Sequence, residues 1–312
     1  MNHSIFAKDL SKKFGRTCAL NNISLTVPEG SIYALVGANG AGKTTIIKVL
    51  MNIFRPSAGS ASVLGIDSRK LAGKAFNHIG YVSENQDLPE WMTVEALLSY
   101  LRPFYPQWDR ALEQQLVRQF DLPLKRKLKH LSRGVRMKTA MASALAFRPS
   151  LIVLDEPFSG LDPLVRDELI EGLLDRAPET TIFLSSHDLA EIETFSSHVG
   201  YLERGRLLFS EEMSVLADRF REVTVTLDAP STPPPTIPKH WLRFEAVDSV
   251  IRFVHSNYRD GAASEVAEAF PAARDIAFEP MALRSIFLAV AKAGRTQNQA
   301  GEPAAVLTRM ER

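Results

Sequence analysis

Apolar residues along this chain switch between two spacings, and the switches mark its elements. Residues 3–36 alternate short apolar runs with turns such as Pro28-Glu29-Gly30, a pattern of strands. Residues 31–36, Ser-Ile-Tyr-Ala-Leu-Val, are apolar on consecutive positions and β-rich, which predicts a buried strand. Residues 45–51 contain neither Gly nor Pro and read as a helix. Residues 56–82 mix Ser, Ala and Gly with short apolar pieces and end in the strand-like Ile79-Gly80-Tyr81-Val82. From 84 to 130 the spacing turns helical. Thr93 caps a predicted helix through Val94, Leu97, Leu98 and Leu101, which Pro103 stops. A second predicted helix runs from Asp109 to Phe120 with Leu112, Leu116 and Phe120 on one face, and 135–147 forms a third. Residues 151–154 and 181–184 read as buried parallel strands separated by a helical run around 164–176.

The pattern changes again after about residue 222. Residues 223–227 look like a strand, and Pro230, Pro233, Pro234, Pro235 and Pro238 then make a Pro-rich loop over 229–238. Residues 241–290 mix strand-like and helix-like pieces. The organisation expected is a main domain over 1–222, with a helical subdomain at about 86–147. A small α+β accessory domain follows over 223–293, and a polar tail over 294–312 lacks a core-forming pattern and is expected to be disordered. His240 and His255 lie in unrelated sequence contexts, so no metal-ligand cluster is expected in the appendage.

Composition narrows the function classes. With 312 residues, 45% of them hydrophobic, the chain can bury a full core. Lys plus Arg (37) nearly balance Asp plus Glu (36), and a net charge of +1 argues against a broad nucleic-acid surface. The basic run Lys125-Arg126-Lys127-Leu128-Lys129-His130, with Arg133 and Arg136 after it, reads as a solvated loop and a phosphate-facing helix start. A single cysteine, Cys18, allows no internal disulfide and fits a reducing cytosol. No basic leader with an apolar core opens the sequence, and no apolar run approaches the ~20 residues of a spanning helix. Any membrane segment is therefore expected on another chain.

The chemistry begins where the strand at 31–36 ends. Gly37-Ala38-Asn39-Gly40-Ala41-Gly42-Lys43-Thr44 fits G-x-x-x-x-G-K-[ST], the phosphate-binding P-loop, and sits between a strand and a helix as that motif requires. Its glycines let backbone N–H groups turn inward around an anion, and the helix start adds its positive dipole end. Thr45 continues the loop into the helix. Lys43 is expected to reach the β- and γ-phosphates and Thr44 to hold Mg²⁺. A second signal is Leu151-Ile152-Val153-Leu154-Asp155-Glu156, an apolar strand ending in two acids. Asp155 is placed to help coordinate Mg²⁺, and Glu156 to orient and deprotonate an attacking water.

A third signal, Leu131-Ser132-Arg133-Gly134-Val135, opens a helix between the two. Together they resemble the ATP-binding cassette (ABC) proteins, whose signature reads L-S-G-G-Q. Leu131, Ser132 and Gly134 match it, and Arg133 and Val135 depart from it. Ser159-Gly160-Leu161-Asp162 resembles the family's D-loop, His187 its switch histidine, and Phe14 the aromatic that stacks on adenine. Glu84 occupies the position where many relatives carry the Q-loop glutamine, and its carboxylate could serve Mg²⁺ or a metal-bound water. The resemblance covers about residues 3–220. The stretch 104–109, Phe-Tyr-Pro-Gln-Trp-Asp, resembles one branch of ATP-binding subunits, from ABC-2-type exporter-like systems.

The resemblance implies an α/β P-loop NTPase fold, with a mixed core sheet, an antiparallel β subdomain and a helical subdomain. It implies ATP and Mg²⁺ as ligands and hydrolysis with Glu156, His187 and Lys43 as the catalytic set. It implies a dimer, with itself or with a homologous subunit, because Ser132, Arg133 and Gly134 act on the partner's ATP, and it makes Asp162 the D-loop residue. A membrane subunit would dock near residues 86–130, where Trp91, Met92, Phe104, Tyr105 and Trp108 concentrate. The chain would then lie on the cytoplasmic face of the membrane, and no nucleic acid is expected as partner. The competing expectation is a soluble ABC ATPase of translation or DNA repair. Those usually carry two cassettes or a long inserted coiled coil, and neither is seen here.

Overall fold

A computed structural model describes residues 2–84, 87–229, 234 and 237–299. The chain divides into two compact units, one ending at Ser210 and the other starting at Glu211. The composition shift after 222 falls within the second unit.

The first unit opens with β1 (His3–Phe14) and β2 (Thr17–Pro28), followed by β3 (Ile32–Val36), α1 (Lys43–Leu50), β4 (Ala58–Val63), β5 (Ile66–Asp67) and β6 (Ile79–Val82). Three helices come next, α2 (Val94–Leu101), α3 (Arg110–Gln119) and α4 (Arg133–Leu145). Then come β7 (Leu151–Leu154), α5 (Pro163–Leu174), β8 (Thr181–Ser186), β9 (His198–Glu203) and β10 (Arg206–Glu212). β1, β2, β4 and β5 form an antiparallel sheet of order β2-β1-β4-β5. The others form a sheet of order β10-β9-β3-β8-β7-β6, in which β3 pairs in parallel with β8 and β9, and β7 with β6 and β8. β3 and β7 read as unbroken apolar runs because they are covered on both faces. All residues of β3, β7 and β8 are buried. Each fully buried Leu or Ile contributes about 1.5–3 kcal/mol.

Register positions the site. Val36 pairs with Ser186, and Leu154 with Leu184. The carboxyl ends of β3, β7 and β8 therefore coincide, and the loops carrying Gly37, Asp155 and His187 emerge side by side. An open parallel sheet binds ligands at that edge.

The helical stretch forms as its spacing predicts. Thr93 Oγ1 accepts from the Ala96 amide (3.1 Å) to start α2, and Asp109 accepts from Ala111 and Leu112 to start α3. Tyr105 stacks on Phe147 at 4.0 Å, and Trp108 Nε1 donates to Glu113 (2.7 Å), so both aromatics are tied inward. Trp91 and Phe104 stay exposed, at 71% and 58%.

The second unit contains α6 (Met213–Arg219), β11 (Arg221–Leu227), β12 (Trp241–Val247), β13 (Val250–His255), α7 (Ala262–Ala269), β14 (Ala273–Pro280) and α8 (Leu283–Gln299). Its antiparallel sheet has the order β12-β13-β11-β14. Val223, Val225, Trp241, Phe253, Val266 and Phe270 form its core, with Trp241 stacked on Phe253 at 4.3 Å. The backbone of α8 extends to Gln299, into the segment expected to lack structure, while Ala300–Arg312 lie outside the described residues. Of the Pro-rich loop, Pro230, Pro233 and Pro235 also lie outside them.

One expectation is corrected here. His240 and His255 are not in unrelated contexts. The β12–β13 register pairs Trp241 with His255, which sets His240 alongside, and the two rings lie 4.9 Å apart. Glu265 on α7 joins them, giving a His-His-Glu group whose ligand atoms all fall within 4.8 Å. Strand pairing makes this contact, and sequence spacing does not report it. Burial, and next the neighbouring His240, hold the His255 imidazole below its usual pKa.

Candidate nucleotide-binding site

The loop after β3 turns sharply because two of its glycines admit no side chain. A Cβ on Gly37 would lie 2.2 Å from the Leu202 carbonyl oxygen. Gly42 has φ +112°, and a Cβ there would lie 2.9 Å from the Ala19 oxygen. Gly42 is the N-cap of α1 and gives it no side-chain cap, so the first-turn amides face the cleft unpaired by any cap. The cleft has a volume of about 380 Å³. Asn39, Gly40, Gly42, Lys43, Thr44 and Thr45 line it from the loop, and Glu84, Glu156 and His187 from across it. Gly37, Ala38 and Ala41 shape the loop from behind. Ala41 N donates to Ala38 O (3.0 Å), and Gly37 N to Ser186 O (3.3 Å).

A line of charged groups crosses the cleft. The buried Lys43 Nζ donates to Gly37 O (2.6 Å) and Ala38 O (3.3 Å), and lies 3.0 Å from Glu156 Oε1 as an ion pair without hydrogen-bond alignment. The other oxygen of Glu156, Oε2, meets His187 Nδ1 at 2.7 Å. Glu156 has φ +49°, an uncommon conformation for a side-chain-bearing residue that costs about 1–3 kcal/mol. Its amide donates to Ser185 Oγ (2.9 Å), which holds the turn.

Asp155 lies one residue earlier and is buried. Its Oδ1 accepts from Thr44 Oγ1 (3.1 Å) and Ser185 Oγ (2.7 Å). Burial, and then the negative charge of Asp155, push the Tyr81 phenol above its usual pKa. The donor set suits a hard divalent cation. Thr44 and Asp155 present two oxygens side by side, with Glu84 on the same cleft, and Mg²⁺ prefers oxygen ligands of this kind. Unpaired amides and a buried ammonium suit a polyphosphate.

Other expected site residues lie elsewhere. Phe14 is exposed at the end of β1, edge-on to Phe54 at 5.2 Å with Lys12 Nζ 4.8 Å from its ring, and it is not among the cleft-lining residues. Ser132 caps α4 by accepting from Val135 N (3.3 Å), and Asp162 caps α5 by accepting from Val165 N (3.1 Å). These two helix starts pack together. A Cβ on Gly160 would meet the Arg133 guanidinium at 3.1 Å, and one on Gly134 would meet Val165 at 2.9 Å. Ser132, Arg133 and Gly134 do not line this chain's own cleft.

Sequence reasoning missed Ser185, which bridges Asp155 and the Glu156 amide. Its signal in the sequence was the polar Ser185-Ser186 pair directly after the apolar Ile182, Phe183 and Leu184.

The family described as "ABC transporter" matches residues 20–159. The ABC transporter ATP-binding protein YtrB of Bacillus subtilis (strain 168) is 29% identical over 223 residues, 71% of this chain and 76% of that protein. The bacitracin transport ATP-binding protein BcrA of Enterococcus faecalis is 32% identical over 228 residues, 72% of this chain and 74% of that protein. A solved structure described as the ATP-binding subunit of an ABC transporter is 29% identical with a TM-score of 0.63, covering 68% of this chain and 91% of its own.

Proposed function

We propose a role that proceeds from one premise: this chain belongs to the family of ABC transporter ATP-binding proteins. It binds and hydrolyses ATP to power transport by a separate membrane subunit, and the direction is export. The relatives named for bacitracin and lantibiotic transport support the transport role, and the likeness of residues 104–109 to exporter-like subunits supports the direction. No helix among the described residues is long and apolar enough to cross a membrane, which supports placing the translocation path on another chain. Docking falls to the helical segment, where Trp91, Tyr100 and Phe104 are exposed aromatics of the kind that anchor interfaces. The chain then sits on the cytoplasmic face of the membrane.

The observation that carries this reading is the Lys43–Glu156–His187 line across a glycine cradle. In the reaction, a water oxygen forms a bond to the γ-phosphorus while the bond to the ADP oxygen breaks in line. Glu156 orients that water and takes its proton. His187 holds the Glu156 carboxylate through Nδ1 and lies at the cleft for the γ-phosphate. The Lys43 ammonium and the amides of the cradle neutralise charge spreading over the phosphoryl oxygens. Thr44 and Asp155, with Glu84 beside them, would hold Mg²⁺, whose contribution is neutralisation of the β- and γ-phosphate charge. Ser132, Arg133 and Gly134 face the nucleotide of a second subunit, either a copy of this chain or a homologue, so a single chain supplies half of each site.

Lys43→Ala tests the pocket. It removes one charged partner and should weaken magnesium-dependent ATP binding roughly 10- to 100-fold in a calorimetric titration. Unchanged affinity would overturn the assignment, and failure to co-purify with any integral membrane protein would overturn the transport role.

A further inference from the structure

We propose that His240, His255 and Glu265 form a binding site for one divalent transition-metal ion of the zinc type in the C-terminal unit. Two imidazoles and one carboxylate are a donor set that zinc accepts, with a fourth position left to water. The three groups come from three separate pieces of chain. His240 leads into β12, His255 ends β13, and Glu265 lies on α7. His240 Nε2 stands 2.8 Å from Glu265 Oε1. His255 is 1% exposed, its Nε2 makes no hydrogen bond, and it lies 3.7 Å from Glu265 Oε2. A nitrogen so deeply buried without a hydrogen bond, facing a carboxylate and a second imidazole, is the strongest single sign of a missing ligand. Ligands about 2.0–2.2 Å from a tetrahedral ion stand roughly 3.3–3.6 Å from one another. The group needs only small side-chain shifts to reach that spacing from its present 4.8 Å limit.

The surroundings fix the site on one side and open it on the other. Ser256 is buried, and both its amide and its hydroxyl donate to the His240 carbonyl at 2.9 Å, which pins that backbone against β13. The side chains of His240 and Glu265 are 32% and 42% exposed, so an ion can enter from solvent and keep a water. One contact opposes binding. The Asn257 amide donates to His255 Nδ1 at 3.3 Å, which leaves the ring hydrogen on Nε2. Uptake of a metal at Nε2 moves that hydrogen to Nδ1 and gives up this long bond, so the affinity is lower than that of a closed structural zinc site.

Zinc titrated calorimetrically into the full chain, free of any polyhistidine tag and of nucleotide, tests the site. The expected result is one ion per chain. Co²⁺ in its place should give a visible absorption band of tetrahedral coordination. His240→Ala and Glu265→Ala alter half-exposed side chains, so the fold should survive, as a thermal melt would check. Each should lower affinity by more than about 100-fold, beyond the loss typical of a supporting partner. Zinc should raise the melting temperature of the parent chain and leave that of both variants unmoved. No saturable binding, or binding retained in both variants, would overturn the proposal.

Discussion

Among the described residues each unit holds a close histidine–carboxylate contact, and the two are of nearly equal length: His187–Glu156 at 2.7 Å and His240–Glu265 at 2.8 Å. They differ in what meets the carboxylate's other oxygen. At Glu156 it is the ammonium of Lys43, 3.0 Å away and 5% exposed. At Glu265 it is a second histidine, His255, 3.7 Å away. A fixed positive charge beside amides and Asp155 suits the first site to the metal-bound polyanion proposed for it. An imidazole in place of the ammonium suits the second to the cation proposed for it. The same pair of side chains therefore serves opposite ligands, and the third group decides which. Burial separates them further. Glu156 is enclosed, where a proton transfer is shielded from bulk water, whereas Glu265 is half-exposed, where an ion can exchange.

The comparison breaks most readily at Glu156. Glu156→Gln keeps the shape and the neighbouring cradle but removes the base. Turnover should fall by about 10²–10⁴-fold while ATP binding persists. Steady-state hydrolysis near the parent rate would mean that the enclosed pair is structural and that the contrast with Glu265 is one of exposure alone.

The two pairs also differ in how far the chain announces them. Gly37–Thr44, Asp155 and Glu156 sit in contiguous runs whose spacing is itself the geometry, and the apolar strands before them predict where they emerge. The sheet order β10-β9-β3-β8-β7-β6 is another matter, because pairing between strands a hundred or more residues apart leaves no local period. Ser185 left only the weak signal of a polar residue closing a strand, since its importance comes from the β7–β8 register that brings it to Asp155. His240 and His255 were read as lying in unrelated contexts, because sequence spacing does not report the β12–β13 pairing and the placement of α7 that bring Glu265 to them. Arg133 read as a departure from a pattern, and only the packing of α4 on α5 shows its guanidinium lying over Gly160.

Ser185→Ala sharpens the first half of the comparison. The hydroxyl donates to Asp155 and accepts from the Glu156 amide, and both partners are buried. Its loss leaves a buried amide and one carboxylate oxygen short of a partner, at about 1–3 kcal/mol. Urea denaturation should show that drop, and the magnesium concentration needed for half-maximal ATP binding should rise. A stability loss without any shift in magnesium dependence would confine Ser185 to holding the turn.

A third carboxylate, Glu113, shows what a fixed cation does where no ligand chemistry is involved. Arg102 grips it with two hydrogen bonds of 2.8 and 2.6 Å, and Trp108 Nε1 adds a third of 2.7 Å. Burial by itself would raise its pKa, but Arg102 and Trp108 outweigh that and hold the carboxyl below its ordinary value. The unfolded chain therefore takes up this proton more readily than the folded one. The stabilisation is fully present above the unfolded value of about 4.3 and is lost as pH falls through the lower folded value. Arg102 is partly open to solvent, so screening keeps the effect near about 1 kcal/mol. At neutral pH Glu113→Gln should be less stable than the parent by that amount in urea, and the gap should close as pH drops below about 4. A gap that stayed constant with pH would assign the loss to packing around Trp108. The lesson drawn from Lys43, that a fixed cation sets what a carboxylate does, would then have to rest on the cleft alone.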